Sequence, residues 1–546
     1  MKTDVKSAIA DILRLEGIEY VFGYTGGHIM QMWEAANNAG IKTILNKQEG
    51  NGVYMADAFA RIIGKPGIIL GTAGPGVTNM TTGLATSFLD SIPLIAIGAG
   101  VATSAFGKNA VQDGSGRGRA TEQRAAMKSV CKQAMLAPTP QAVPDMIREA
   151  FREALSGRPG PVYVEVPSDF WDIPIEYEKI QPSNYRNCSL TSCNINDSTS
   201  VQKKLLASKH PLIVIGEGAN EPAIGAKMMK FIEKVFIPFT VSPLGKNVVD
   251  EFHPLYLGVM RMQGTTQKVY EYIKKSDFIL FLGDRMQEWE VAWYNKELFS
   301  KATLAQVDPD WNEIGRVYPV DFSAVGSITS FIDTEGFKKH NNAQLLQEKV
   351  KQLWKQYPIQ GILKDSKGIN PLNINTLVQK HADKDATIVT DTGYAKSMAI
   401  IKYLTHLNQH FISADKNGPM GYSVPAALGA ALATNKQVIA FVGDGGFQMS
   451  LNELGTAMNY GLKAIYIILN NGGCSSIVNY HKSVYGHHCA DTFKNPDFVA
   501  LAQSYGMKGY KVTTTEDFEK AFLLATKSKT SVLIDAHVNQ ASMIWE

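Results

Sequence analysis

Short apolar runs rich in Val, Ile and Leu recur along the chain, each followed by small or polar residues and then by a helical stretch. YVFGY, KPGIILGTAG, IPLIAIGAG and GPVYVEVP lie in the first third, and HPLIVIGEG, DFILFLGD and TLAQVDPD in the middle. ATIVTDTG, QVIAFVGDG, AIYIILNN and SVLIDAHV follow in the last third. Strand-sized runs that are apolar throughout and alternate with helices predict parallel sheets covered by helices on both faces. The opening segment MKTDVKSAIADILRLEGIEYVFG reads as an amphipathic helix running into the first such strand. Two polar stretches break the rhythm. One is EYEKIQPSNYRNCSLTSCNINDSTS; the other is the charged helical segment NNAQLLQEKVKQLWKQY with KDSKGINP behind it. They divide the chain into three doubly wound, parallel-sheet α/β domains, residues 1–185, 190–335 and 345–546. No short repeat is visible, although the first and third domains share a layout of glycine-rich strand-to-helix turns.

Composition narrows the class. With 546 residues, 45% hydrophobic and 19% charged, the chain has the balance of a soluble globular protein with substantial cores. A net charge of +3 and the lack of a Lys/Arg stripe give no reason to expect nucleic acid as a partner. The longest apolar runs fall far short of the roughly 20 residues a membrane span needs, so no membrane is expected. The N-terminus lacks the apolar core and cleavage site of a signal peptide. Five cysteines without framework spacing fit a reducing compartment, and Cys188 and Cys193 read as ordinary linker thiols. A cytoplasmic protein is the expectation.

The chemistry is concentrated in FVGDGGFQMSLNELGTAMNYGLKAIYIILNNGG, Phe441 to Gly473. VIAFV predicts a buried strand with GDGG at its carboxyl end. Ser450 and Glu453 have the spacing of a capping box for the helix LNELGTAMNYG, with Gly461 near its stop. AIYIIL predicts the next strand, ending at Asn470–Asn471. In an open parallel sheet, ligands bind beyond the carboxyl ends of strands, so Asp444 and Asn471 converge there if the two strands are neighbours. One carboxylate, one amide oxygen and one carbonyl, completed by phosphate oxygens and water, suit Mg²⁺, which seldom takes an all-protein cage. GDG alone is an ordinary turn; its pairing with NN one helix later carries the signal.

That combination resembles the signature of the thiamine diphosphate enzymes. The resemblance implies that Asp444, Asn471 and the Gly473 carbonyl hold Mg²⁺ against the cofactor's diphosphate, with backbone amides from Gly445 and Gly446. GYAKS matches a second diphosphate loop, which implies contacts from Gly393, Lys396 and Ser397. The segment NKQEGNGVYMADAFAR resembles the family's pyrimidine-activating stretch and places its carboxyl at Glu49. NGPMGYSVPAA resembles the motif that bends the cofactor, with Met420 beneath the bend and Gly418 accepting from its amino group. The resemblance covers essentially the whole chain and lies closest to the acetolactate synthase-like branch. It implies pyrimidine-binding, central and diphosphate-binding domains in that order. It also implies a homodimer or homotetramer in which Glu49 and Asp444 meet only across a subunit interface.

Gln112, in NAVQD, matches a Gln set beside the reacting carbonyl, and a surface Gln in a polar loop is its rival reading. FGYTGGHIMQ resembles a stretch of benzaldehyde lyase, which places His28 at that enzyme's active-site histidine, a natural proton relay near neutral pH. His481, His487 and His488 lie where the family has a substrate-covering segment. Four departures weaken classical acetolactate synthesis: Val111 stands for a Phe, Trp289 for a carboxylate-gripping Arg if Arg285 takes the first Arg position, Ser168 for a Lys, and Tyr480 for a Trp. Losing a bidentate carboxylate partner costs most of the recognition of a second 2-oxo acid. Three readings follow. The first is a carboligase that decarboxylates a 2-oxo acid such as pyruvate and passes the acyl unit to an acceptor. The second is a non-decarboxylating lyase of acyloins and aldehydes, and the third a catalytically silent cofactor-binding protein. In the central domain GEGANE is a weak dinucleotide cue, because Glu221 takes the third glycine position. The resemblance leaves FAD, ADP or nothing open there, and with the family's RFDDR region altered FAD is expected to be absent.

Overall fold

Every apolar run named above forms a strand in the computed structural model, which describes residues 2–187, 191–221, 223–261, 267–359 and 361–539. Cys188 lies outside the described residues. The strands assemble into three six-stranded parallel sheets. The first runs Lys42–Leu45, Tyr20–Gly23, Gly67–Gly71, Leu94–Gly100, Pro161–Pro167, Gln133–Leu136. The third runs Phe411–Ser413, Thr387–Thr390, Val438–Gly443, Ile465–Asn470, Val532–His537, Lys508–Val512. Counted along the chain within each domain, both have the strand order 2-1-3-4-6-5. The central sheet, Tyr256–Val259, Phe239–Val241, Pro211–Ile215, Phe278–Leu282, Thr303–Asp308, Phe322–Val325, has the order 3-2-1-4-5-6 instead. Inner strands such as Leu212–Ile215 and Ile439–Val442 are buried along their length because helices cover both faces.

The first and third domains are fused through two helices. Glu49–Ile63 starts where the Gln48 side chain accepts from the Asn51 N–H, and ends at Gly64 with φ of 71°. Its partner is Ser423–Ala433, an almost wholly small and apolar helix. A methyl group on Gly429 would stand 2.0 Å from the Met55 carbonyl oxygen, so the two backbones nearly touch. Around that contact Val53, Phe59, Tyr422, Leu428 and Phe447 form one apolar core. Tyr422 Oη donates to Asp57 at 2.6 Å, and Arg61 pairs with both Asp57 and Asp90. The central domain joins the third through the buried Lys246–Glu251 pair, whose carboxylate also accepts from the Thr405 N–H.

Two local expectations are corrected. A helix already runs Asp444–Ser450 and the expected stretch follows it as Leu451–Glu453 and Leu454–Asn459, but Ser450 makes no side-chain cap bond. Ser450 and Glu453 are drawn instead to the first domain: Ser450 Oγ donates to Asn51 Oδ1, and Glu453 accepts from the Lys47 N–H. In the first polar stretch the residues INDSTS open the helix Ile195–Ala207, because Asn194 caps its Asn196 and Asp197 amides.

Candidate functional site

Val438–Gly443 and Ile465–Asn470 are neighbouring strands, with Gly443 opposite Leu469, so Asp444 and Asn471 leave the sheet side by side. The Asp444 carboxylate accepts from the amides of Gly445, Asn471 and Gly472 at 2.9, 3.1 and 2.7 Å, and from Asn495 Nδ2 at 2.8 Å. Asn471 Oδ1 accepts from the Gly473 N–H at 3.1 Å, which curls the chain so that two oxygen donors share one loop. Among the described residues no group of three or more His, Cys, Asp or Glu side chains could hold a metal. A cation at Asp444 therefore depends on amide and carbonyl oxygens and on a ligand's own oxygens, the donor set of Mg²⁺.

The loop borders a cleft of about 310 Å³ lined by Asp391–Ala395, Gly418, Met420, Gly443–Gly446, Leu469, Asn471 and Gly473–Ile477. Three helices begin at it, Tyr394–Lys402, Asp444–Ser450 and Ser475–Tyr485; none has a side-chain bond from its N-cap residue, and in the second the Asp444 carboxylate takes the Gly445 amide. Their first amides and aligned peptide dipoles favour an anion. A Cβ on Gly446 would lie 2.7 Å from Asp391 Oδ1, and one on Gly445 would lie 3.1 Å from Met420 Cε. Bare backbone at both positions lets this loop close onto Asp391 and Met420, the opposite wall of the cleft. A phosphate-bearing cofactor with a bound divalent cation fits these residues.

Asp391, at the end of its strand, organises the other wall. Its buried carboxylate accepts from the amides of Thr392, Gly421 and Ser423, each at 3.0 Å, and from Ser423 Oγ. Burial pushes this carboxyl up while those donors pull it down. The result ties the turn bearing Gly418 and Met420 to the strand end. The motif reading passed over Asp391, although its position at a strand's carboxyl end is the same cue that flagged Asp444. Asn495, the donor to Asp444, carries no motif. Lys396 and Ser397 do not line the cleft, in contrast to the expectation from GYAKS. The buried Lys396 ammonium pairs with Asp415 at 3.3 Å and donates to its carbonyl, since a buried charge needs its counter-charge.

In the first domain, Glu49, Gln112 and His28 gather around the turn Gly74–Gly76. Glu49 opens its helix, is 8% exposed, and accepts from Asn79 Nδ2 at 3.0 Å. A Cβ on Gly76 would lie 3.2 Å from Glu49 Oε1, and one on Gly74 would lie 3.1 Å from Gln112 Cβ. His28 Nδ1 lies 3.1 Å from Gln112 Oε1, and the His28 carbonyl accepts from Trp171 Nε1. An Nδ1–H donating to Gln112 leaves Nε2 as a proton acceptor. Among the described residues none from this domain lines the cleft at Asp444. The chain thus presents two separate groups of candidate residues.

His481 and His488 both turn Nδ1 to Asp491, at 3.0 and 2.6 Å, and His487 Nδ1 lies near the Tyr485 carbonyl. Of the four departures, Val111 is 82% and Tyr480 63% exposed. Trp289 packs on Trp293 with the Arg261 guanidinium over its face. Ser168 opens a short turn of helix, and the buried Arg285 donates to Ser91 Oγ. In the central domain Gly218 donates its amide to the Gly283 carbonyl, and a Cβ on Gly216 would lie 2.4 Å from Asp284 Cα. These glycines let two loops meet. Glu221 accepts from the Ile328 and Thr329 amides and caps that helix.

Residues 3–117, 199–334 and 391–536 match the N-terminal TPP binding, central and C-terminal TPP binding domains of the thiamine pyrophosphate enzymes. The chain is similar to the acetolactate synthase of Arthrospira platensis, 30% identical over 98% of this chain and 94% of that protein. It is 29% identical to the acetolactate synthase large subunit of Haemophilus influenzae, over 98% of this chain and 95% of the relative. The probable acetolactate synthase large subunit of Methanococcus aeolicus is also 29% identical, over 98% and 92% of the two chains.

Proposed function

The chain belongs to the acetolactate synthase-like thiamine pyrophosphate enzymes, and from that premise we propose that it decarboxylates a 2-oxo acid such as pyruvate and transfers the acyl unit to an acceptor. The observation that carries this reading is the pairing of an anion-favouring cleft at Asp444 and Asn471 with a carboxyl at Glu49 on a second, topologically equivalent domain. The cofactor, when bound, supplies an electron sink for the carbon left after CO₂ departs. In this reading Asp444, Asn471 and the Gly473 carbonyl would hold Mg²⁺, while Gly393 and Gly446 would offer backbone amides to the diphosphate; the Gly445 amide donates to Asp444 instead. Gly418 and Met420 shape the ring pocket. Glu49 exchanges a proton with the cofactor's ring, and Gln112 with His28 handles the proton at the substrate oxygen.

The two groups of residues belong to different subunits of a homodimer or homotetramer. Support comes from their separation within one chain and from exposed apolar side chains beside each: Tyr24, Met30 and Val111 on one side, Ile477, Tyr480 and Val484 on the other. We infer no FAD in the central domain, where the Gly216 and Gly218 positions are taken up by loop packing and Glu217, Asp284 and Asp308 line the strand ends. A non-decarboxylating acyloin or aldehyde lyase is the second reading, favoured by the His28–Gln112 contact and by Trp289 in place of a carboxylate-binding Arg. Purified protein given thiamine diphosphate, Mg²⁺ and a panel of 2-oxo acids and acyloins, with CO₂ and product mass recorded, separates the two. Release of CO₂ from a 2-oxo acid supports the first. Acyloin cleavage without any CO₂ replaces it with the second.

A further inference from the structure

Gln123 lies outside the motifs and is fully buried, yet three segments close on its side chain. Oε1 accepts from the Gly74 N–H at 2.8 Å, while Nε2 donates to the Ala99 carbonyl at 2.9 Å and to Tyr163 Oη at 3.2 Å. Its own N–H donates to the Gly114 carbonyl at 3.1 Å. A Cβ on Gly114 would stand 2.3 Å from Gln123 Oε1, so the hairpin carrying Gly114 sits directly on the amide. Gln112 lies two residues before Gly114, in the turn that leads into the hairpin closed by the Ser115–Glu122 bridge. Gly74 belongs to the turn that abuts Gln112 on one side and leads to Gly76 beside Glu49 on the other. One carboxamide therefore joins the turn and the hairpin between which the Gln112 side chain is held.

Gln112 needs such support. Its φ is 63°, a left-handed conformation that a residue with a Cβ holds only when its surroundings enforce it. Behind Gln123 the bonding continues: Tyr163 Oη lies 3.3 Å from Glu165 Oε2, where its O–H donates to the carboxylate. Glu165 is 2% exposed, and burial pushes its carboxyl up to about 7. Tyr163 and Gln123 oppose that shift, as does Arg124, while Glu122 adds to it. A neutral Glu165 accepts from Tyr163 without placing a charge in this buried setting, whereas ionisation puts a poorly solvated carboxylate behind Tyr163 and Gln123 and strains the bonded chain.

Resting on the functional reading above, we propose that Gln123 is a positioning residue that locks the Gly74–Gly76 turn and Gln112 against Glu49 and His28, and that ionisation of Glu165 loosens this lock. Neither residue touches the reacting atoms. Their effect is on the turnover number and on its pH dependence, with cofactor binding left nearly unchanged.

The test is amide hydrogen exchange of the full-length protein, read in segments 72–77 and 107–121 and corrected for intrinsic rates, alongside the pH profile of kcat. Gln123→Ala is expected to speed exchange in both segments about tenfold or more relative to strand Leu94–Gly100, and to lower kcat about tenfold with cofactor affinity within about twofold. Glu165→Gln keeps the shape and removes the titration, so it covers the case in which Gln123→Ala does not fold. In the parent protein, protection of both segments is expected to fall between about pH 6 and about pH 8, because the closed form holds the Glu165 proton more tightly than the open one; in Glu165→Gln that fall disappears, together with the matching step in kcat. Unchanged exchange in Gln123→Ala, or a fall that persists in Glu165→Gln, overturns the proposal. Lack of turnover by the parent protein on every 2-oxo acid and acyloin refutes the functional reading alone, because the exchange measurement still decides the positioning role.

Discussion

His28 Nδ1 and Gln112 Oε1 lie 3.1 Å apart although 84 positions separate them in the chain. The contact is polar and partly open to solvent, so it is worth little to stability; its consequence is a fixed imidazole orientation. His28→Ala is expected to lower kcat on the order of 10²–10⁴-fold, the usual span for a positioned proton carrier. Gln112→Ala should lower it too, and the double variant should lose less than the sum of the two. Steady-state kinetics on the best substrate decides, and strict additivity would remove the pair from the mechanism.

Glu49 and Asp444 sit in separate groups of one chain, so each active site draws on two chains in the proposed assembly. Glu49→Gln and Asp444→Ala should each be inactive alone. Co-expressed, they should regain about a quarter of the parent activity, because about half of randomly paired dimers are mixed and each mixed dimer has one intact site. Persistent inactivity of the co-expressed mixture, with mixed dimers verified by mass, would place both residues in one chain's site.

Asp444 is the carboxylate of the proposed Mg²⁺ loop, and its oxygens already accept four N–H groups. Mg²⁺ is therefore expected to bind weakly by itself and tightly with thiamine diphosphate present, whose oxygens complete the shell. Calorimetric titration of Mg²⁺ with and without the cofactor measures this. Tight binding to the cofactor-free protein would mean that a further ligand set exists.

The central domain supplies a stability test. Burial pushes Asp308 up to about 7, so the folded chain holds its proton more tightly than the unfolded chain does. The fold gains from this group at low pH, and that gain is lost as pH rises from the ordinary carboxyl range through about 7. Asp308→Asn cannot lose a proton, and its Oδ1 can still accept from the Asp310 N–H as Asp308 does. Relative to the parent it should gain about 2–4 kcal/mol at about pH 8 and almost nothing at about pH 4. Parallel pH dependence of the two melting temperatures would contradict the buried-acid assignment.

The sequence was most legible where both faces of an element are buried. Runs such as VIAFV and FILFL have one composition throughout, and their strand identity follows from it. Edge strands such as KTIL, QAML, FSAV and KGYKV escaped notice, because one flank and part of their side chains meet water and their composition is mixed. The convergence of Asp444 and Asn471 was legible through a topological rule that needs only strand order. Lys396 was not, since nothing local announces that Asp415 will be its partner. Ser450 and Glu453 misled for a related reason: their spacing satisfies a cap, but the bonds they make reach across to another domain. Gln123 and Asp391 hold turns by side-chain bonds to distant backbone, an arrangement that leaves no periodic trace.

The near-contact of Gly429 with Met55 has a consequence for how the lobes tolerate change. The gap between them is gauged by a lone hydrogen, so even alanine at that spot must wedge the lobes apart or buckle a helix. Such damage would travel lengthwise to the end where Glu49 stands. A purely steric accident, remote from any reagent, would then masquerade as lost chemistry.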